Sequence, residues 1–169
     1  RERFLPSYFS FLYQLLNELN WIEQKKELKE AIENSSNFLE DLQTEYTMLF
    51  INTYPKLPAP PYESYYLSSD RTFCNDTTEE IINFYRHCGY TPEMSPELPD
   101  HIIYELQLMG LLSKEGRERE VDVFLETHFR KWFPMFRESV LSFASHPFYK
   151  IIVNLIDFFT RPEEVEIYV

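Results

Sequence analysis

The chain has 169 residues, 17% of them aromatic with 15 Phe and 12 Tyr, only three glycines, and a formal charge of −12. That length can bury a core of its own, the composition excludes a disordered chain, and the charge disfavours nucleic acid or an anionic membrane while leaving room for a basic partner. Cys74 and Cys88 are too few for a disulfide framework and lack Cys-x-x-Cys spacing, as expected of reduced thiols in a cytoplasmic protein.

The expected architecture is all-α, a single domain over residues 1–169 with seven or more helices and an ordered proline-rich loop. Arg1-Glu2-Arg3 is followed by an amphipathic stretch rather than a secretory signal. Phe4, Tyr8, Phe9, Phe11, Leu12, Leu15, Leu16 and Leu19 repeat at helical spacing, with Pro6 in the first turn and Asn20 as a stop. A more polar helix follows from Trp21 to Glu33, with Ile22, Leu28 and Ile32 as its thin apolar side. Ser35 or Ser36 is placed to cap a third helix carrying Phe38, Leu39, Leu42, Tyr46, Leu49 and Phe50.

Thr53 to Tyr66 contains four prolines in the seven positions from Pro55 to Pro61, which forbids regular helix. Its tyrosines and prolines predict a loop packed on the body, and a long ordered loop is a functional candidate. Asp76-Thr77-Thr78-Glu79 has capping-box spacing and starts a helix ending at Gly89. Thr91 to Glu97 is a second proline-containing loop.

It feeds Leu98 to Leu112, which leaves almost no wide polar face and reads as a helix in the middle of the domain. Glu97, Asp100, His101 and Glu105 nevertheless stand in its first turns, where charge needs a partner. His101 and Glu105 are four apart and are expected to share a face and pair. Gly116 breaks the pattern. The next helix turns Val121, Phe124, Leu125, Phe129, Trp132 and Phe133 inward, and Pro134 is expected to end or kink it. Phe136 to Phe143 and Phe148 to Phe159 make the last two helices, the latter interrupted by Asn154 and Asp157 and far short of a membrane span. Arg161 to Val169 is a short tail.

The three glycines stand too far apart for a phosphate loop. His87, His101, His128 and His146 lack metal-ligand spacing, and four structural ligands do not gather around His101, so no metal or other cofactor is expected. An enzyme using His101 with a neighbouring acid and a permanent structural subunit of a larger complex stay open as alternatives. A binding role fits better, because helical proteins take peptides in apolar grooves with a few charges fixing direction. On spacing alone, Tyr46, Leu49 and Phe50 read as core packing at i, i+3 and i+4. Pro60-Pro61-Tyr62-Glu63-Ser64 serves equally as a rigid turn, and Glu97 or Asp100 as a helix cap.

Three stretches in this order change that balance: Glu45-Tyr46-Thr47-Met48-Leu49-Phe50, Pro60-Pro61-Tyr62-Glu63-Ser64, and Glu97-Leu98-Pro99-Asp100-His101-Ile102 with Glu105-Leu106. With Phe124-Leu125, Trp132, Pro134 and Phe148-Tyr149 behind them, the chain from about residue 8 to about 160 resembles the TorD/DmsD/NarJ family of redox-enzyme maturation chaperones. The resemblance implies an all-α cytoplasmic chaperone, not an enzyme. Its partner would be the apo-form of a molybdenum-cofactor oxidoreductase subunit, usually bound through a twin-arginine signal peptide. It implies no stable membrane insertion and leaves a homodimer open, since some relatives exchange helices. The implied peptide-binding residues are Tyr46, Leu49, Phe50, Pro60, Pro61, Tyr62, Glu63, Glu97, Asp100, His101 and Glu105. One departure is local: Leu98 follows Glu97 where the family often has proline, and Pro99 comes next.

Overall fold

The computed structural model describes residues 7–52, 56–91 and 97–162. Among these, nine α-helical segments follow one another: α1 (Ser7–Glu18), α2 (Ile22–Asn34), α3 (Phe38–Tyr46), α4 (Glu63–Leu67), α5 (Asp76–His87), α6 (Ile102–Lys114), α7 (Glu118–Phe124), α8 (Arg130–Phe143) and α9 (Pro147–Thr160). A π-turn, π1 (Thr47–Ile51), continues α3, and a second, π2 (Leu125–Phe129), joins α7 to α8. The described residues form no strand beyond one isolated antiparallel bridge between Tyr62 and His101. The all-α expectation holds. Phe4, Pro6, the side chain of Tyr8, Thr53 to Pro55, residues 92–96 and the tail from Glu163 lie outside the described residues.

The core is built on α8 and α9. Phe129, Trp132, Phe133, Phe136 and Val140 recur at helical spacing and are buried. Phe129 stacks on Phe133 with centroids 4.7 Å apart, and Trp132 stacks on Tyr66 at 5.7 Å. Helix α9 is covered on several sides, since Tyr149, Ile151, Val153, Leu155 and Asp157 are all buried. The central position expected for α6 therefore belongs to α8 and α9. Helix α6 begins at Ile102 rather than Leu98, buries Glu105, Leu108, Met109 and Leu112, and leaves Ile103 and Leu111 exposed. Apolar composition did not translate into all-round burial, because only one face of α6 meets neighbours.

Smaller expectations shift for similar reasons. Phe11, Ile22 and Leu39 face outward, although Phe9, Leu12, Leu16, Leu28, Ile32, Phe38 and Leu42 on the same helices are buried. Helix α3 starts after Asn37, while the Ser35 hydroxyl donates to Asp41. Helix α5 starts after Asn75, whose side-chain oxygen accepts from Thr77 N at 3.0 Å. The stops were legible: Asn20, Gly89 and Gly116 adopt φ of 57°, 83° and 71°, the left-handed region that ends helices. Pro134 does not end its helix. It lies inside α8, one turn beyond π2, where Arg130 N reaches back five residues to Leu125 O. Proline cannot donate to the carbonyl four residues earlier and its ring crowds that carbonyl, so a loosened turn upstream accommodates it.

Phe129→Ala should lower the unfolding free energy by about 3–5 kcal/mol, because a fully buried ring leaves a cavity. Phe143→Ala, on exposed surface, should change it by no more than about 0.5 kcal/mol. Urea denaturation of the two variants checks the contrast.

Candidate functional site

The proline loop is pinned at both ends by its own backbone. Ala59 N donates to Leu49 O at 3.1 Å, tying it to π1. At the far end, Ile102 N donates to Pro61 O at 2.9 Å and Glu63 N to Asp100 O at 3.1 Å, the two bonds of the Tyr62–His101 bridge. Ala59, Pro60 and Pro61 are buried between these anchors, so the described part of the loop packs on the body as expected. The three sequence motifs are thereby brought to one region.

Asp100 fastens that region and is completely buried. Its Oδ2 accepts from Ser64 N at 2.8 Å, capping α4 from 36 residues away, and its Oδ1 accepts from Thr78 Oγ1 at 3.2 Å. The acid thus caps α4 rather than its own helix. The cap of α6 is His101, whose Nδ1 accepts from Ile103 N at 3.1 Å. Its backbone is extended, so its side chain leaves the line of α6 and does not pair with Glu105. Burial pulls the His101 imidazole down from its ordinary pKa against the pull of Glu97 and Asp100. The neutral ring, with its hydrogen on Nε2, is the form that keeps the cap.

Above Asp100 lies an accessible rim. Tyr62 stands edge-on to His101 with centroids 4.9 Å apart and edge-on to Phe73 at 5.4 Å, and its hydroxyl donates to the exposed Glu97 carboxylate. Burial, then the Glu97 bond, pushes the Tyr62 phenol far up, and Tyr46 is near enough to add to that shift. Tyr46 is 45% and Ile51 58% exposed, whereas Leu49 between them is fully buried. Phe50 is half-buried, 5.2 Å from Tyr46, 5.7 Å from Tyr149 and 6.0 Å from Phe136. Core packing thus describes Leu49 but not Tyr46.

Below Asp100 lies a dry polar layer. Glu63 and Glu105 are completely buried. His128 Nδ1 lies 3.1 and 3.3 Å from the two Glu63 oxygens, and Trp132 Nε1 donates to Glu105 Oε2 at 3.0 Å. Among the described residues, Glu105 Oε1 has no hydrogen-bond partner. Burial raises Glu63 against the attraction of His128, and burial with the nearby Glu63 charge drives Glu105 well above the ordinary carboxylate range. Burial thus favours the protonated form of Glu105 and keeps it from meeting a ligand directly.

Of the residues named from sequence, Tyr46, Phe50, Tyr62, Glu97 and His101 form the accessible part. Leu49, Pro60, Pro61, Glu63, Asp100 and Glu105 stand buried behind them. Sequence reasoning did not assign His128, Trp132, Thr78 or Glu45 to the site. The first two are four apart on an inward helix face, and a buried ring N–H needs an acceptor, a usable signal for a facing acid. Glu45 accepts from Ser145 N at 2.5 Å and from His146 N at 2.9 Å, anchoring the turn before α9 from 100 residues away, which no local pattern encodes; the cap of α9 itself is His146, whose Nδ1 accepts from Phe148 N at 3.1 Å. No group of three His, Cys, Asp or Glu among the described residues could hold a metal, and none of their helices is long and apolar enough to cross a membrane.

Residues 17–138 match the family model described as nitrate reductase delta subunit. The Tat proofreading chaperone DmsD of Salmonella typhi is 32% identical over 69% of this chain and 57% of its own length. The chaperone protein TorD of a Psychrobacter species is 26% identical over 78% of this chain and 66% of its own. The chain thus spans less than two-thirds of either relative. A solved structure described as a redox enzyme maturation protein from Archaeoglobus fulgidus superposes with a TM-score of 0.60, at 26% identity over 87% of this chain and 78% of that one.

The buried acids set a pH dependence with a definite sign. Above the ordinary Glu value of 4.5 the unfolded chain releases a proton that folded Glu105 keeps, so stability falls as pH rises between that value and the raised one. Glu105→Gln keeps an acceptor for Trp132 and cannot ionise. Urea midpoints from about pH 5 to about pH 8 should therefore fall less steeply in the variant; equal slopes would mean that Glu105 is ionised in the folded protein.

Proposed function

The chain belongs to the TorD/DmsD/NarJ family of redox-enzyme maturation chaperones, and from that premise we propose that it is a cytoplasmic, non-catalytic chaperone for a molybdenum-cofactor oxidoreductase subunit. In this reading one domain binds the arginine-containing N-terminal segment of the apo-subunit at the rim and holds it until the cofactor is in place. The observation that carries it is Tyr62, whose ring packs against His101 while its hydroxyl holds the exposed Glu97 carboxylate.

The chemistry suits such a segment. A signal peptide with paired arginines and an apolar run needs an oriented acid beside an aromatic surface. Glu97 offers the acid. Tyr46, Phe50 and Ile51 offer the surface, and the Tyr62 phenol lies within electrostatic reach of both the acid and Tyr46. The charge of −12 favours approach of a cationic segment and repels nucleic acid. Asp100 acts as a positioning residue here, since both its oxygens already serve the backbone and Thr78. Glu63 and Glu105 act one layer deeper, through His128 and Trp132.

Calorimetric titration with a twin-arginine peptide should give saturable binding that a Lys-Lys peptide weakens, because a planar guanidinium meets a carboxylate with two bonds and an ammonium does not. Glu97→Gln should weaken binding about two- to fivefold with stability unchanged, the scale of an exposed ion pair. Asp100→Ala should instead lower both affinity and stability, the latter by about 1–3 kcal/mol per stranded donor. Absence of saturable binding, or equal affinity for the two peptides, would sink the assignment.

A further inference from the structure

The surface of the α8–α9 hairpin carries a charge imbalance that the peptide reading does not use. Asp157, on α9 and buried, is approached by three guanidinium groups. Arg130 Nη1 donates to its Oδ1 at 2.8 Å, Arg161 Nε donates to its Oδ2 at 2.9 Å with a second bond from Nη2, and Arg137 Nε lies 3.6 Å from Oδ2. Arg130 Nη1 also reaches Thr160 Oγ1 at 3.3 Å, and Arg137 Nε donates to Asn154 Oδ1 at 2.9 Å. Among the described residues, three positive charges thus surround one negative charge, leaving two in excess.

Pinning α8 to α9 needs only the inner pair, Arg130 with Asp157. The other two cations are progressively open: the side chain of Arg130 is 20% exposed, that of Arg137 31% and that of Arg161 61%. Each guanidinium has five N–H donors, and the bonds above use only a few of the roughly fifteen. The pattern continues along the helices. Lys150, Asn154 and Asp157 follow one face of α9 at steps of four and three, Arg161 stands four further on at its C-cap, and Arg130 and Arg137 stand seven apart on α8. A cluster of three arginines on one acid runs against the charge of a −12 chain, where acids outnumber bases 28 to 16.

We propose that Arg137 and Arg161, held in place by Asp157 and backed by Arg130, form an oxyanion site that takes a phosphate group, free or carried on a small molecule. Two surplus positive charges match a phosphate dianion, and guanidinium forks match its oxygens with paired bonds. Asp157 does not compete with the ligand. Its two oxygens are already filled, and its role is to aim the arginines. Because the chain as a whole repels anions, binding depends on short-range contacts and weakens with salt. The site stands independently of the peptide reading.

The test is nitrogen–proton NMR on the full chain, titrated with inorganic phosphate, with glycerol phosphate, and with succinate at matched ionic strength. The expected result is saturable shifts for phosphate centred on Arg137, Asn154, Asp157 and Arg161, including the arginine Nε–H signals, with succinate at least about tenfold weaker. Glycerol phosphate binding as well as phosphate assigns the group to a carried ligand, and weaker binding assigns it to the free ion; both support the site. Arg137→Gln with Arg161→Gln keeps the inner clamp and should weaken phosphate about tenfold or more. Shifts that map elsewhere, succinate binding equal to phosphate, or no saturation would overturn the proposal, and the wild-type map decides it even if a variant fails to fold.

Discussion

A single buried carboxylate holds the candidate site together. Asp100 accepts one bond from the first turn of α4 and one from Thr78 of α5, while its own carbonyl accepts from Glu63 N. It therefore joins the proline loop, α4, α5 and the start of α6 at one residue. Hydrogen bonds to charged acceptors contribute about 1.5–3 kcal/mol each, and stranding their donors costs a similar amount. Few alternative arrangements of Pro60-Pro61-Tyr62 could satisfy the same three groups. The loop has no regular secondary structure of its own, and its order comes from this external cap.

That fastening separates two layers of unlike chemistry. On the outer side, Tyr62, Glu97 and His101 keep access to solvent and carry polar tips, two of them on aromatic bodies. On the inner side, Glu63 and Glu105 are shut away with one imidazole and one indole N–H between them. Burial and the repulsion between two ionised glutamates in a medium that screens poorly both push Glu105 toward its neutral form. The inner layer can then support the rim without adding a second negative charge directly beneath it. An acid-rich motif in sequence resolves into one exposed acid, one fully hydrogen-bonded acid and one whose burial favours the neutral form.

Much of this arrangement is legible in the order of the residues alone. The helix order, the stops at Asn20, Gly89 and Gly116, and the packed proline loop follow from local rules that act within one or two turns. What escaped depends on partners remote in sequence. The cap of α4 by Asp100 spans 36 residues, and the anchoring of the turn before α9 by Glu45 spans 100 or more. The pairing of His101 with Glu105 failed because i, i+4 spacing presumes that both residues are helical, and His101 is the extended cap. The burial of α6 failed because periodicity reports which face is apolar, not which face has a neighbour. Ile103 and Leu111 are where that ambiguity shows.

The two π-turns show how local backbone choices reach the site. In each, the donor following the turn bonds five residues back, Asn52 N to Thr47 O at 2.9 Å and Arg130 N to Leu125 O. One extra residue per turn rotates every later side chain by roughly 100° relative to an unbroken helix. In π1 the register buries Leu49 while Tyr46 and Ile51 stay exposed at the rim. In π2 it buries His128 and Phe129, with His128 against Glu63. A continuous α-helical register would set α7 and α8 about 100° apart from their present relation. It would also leave Pro134 without a loosened turn upstream. The same deviation therefore accommodates a proline in α8 and supplies the imidazole that partners Glu63, which makes π2 a structural link between the core helix and the proline loop.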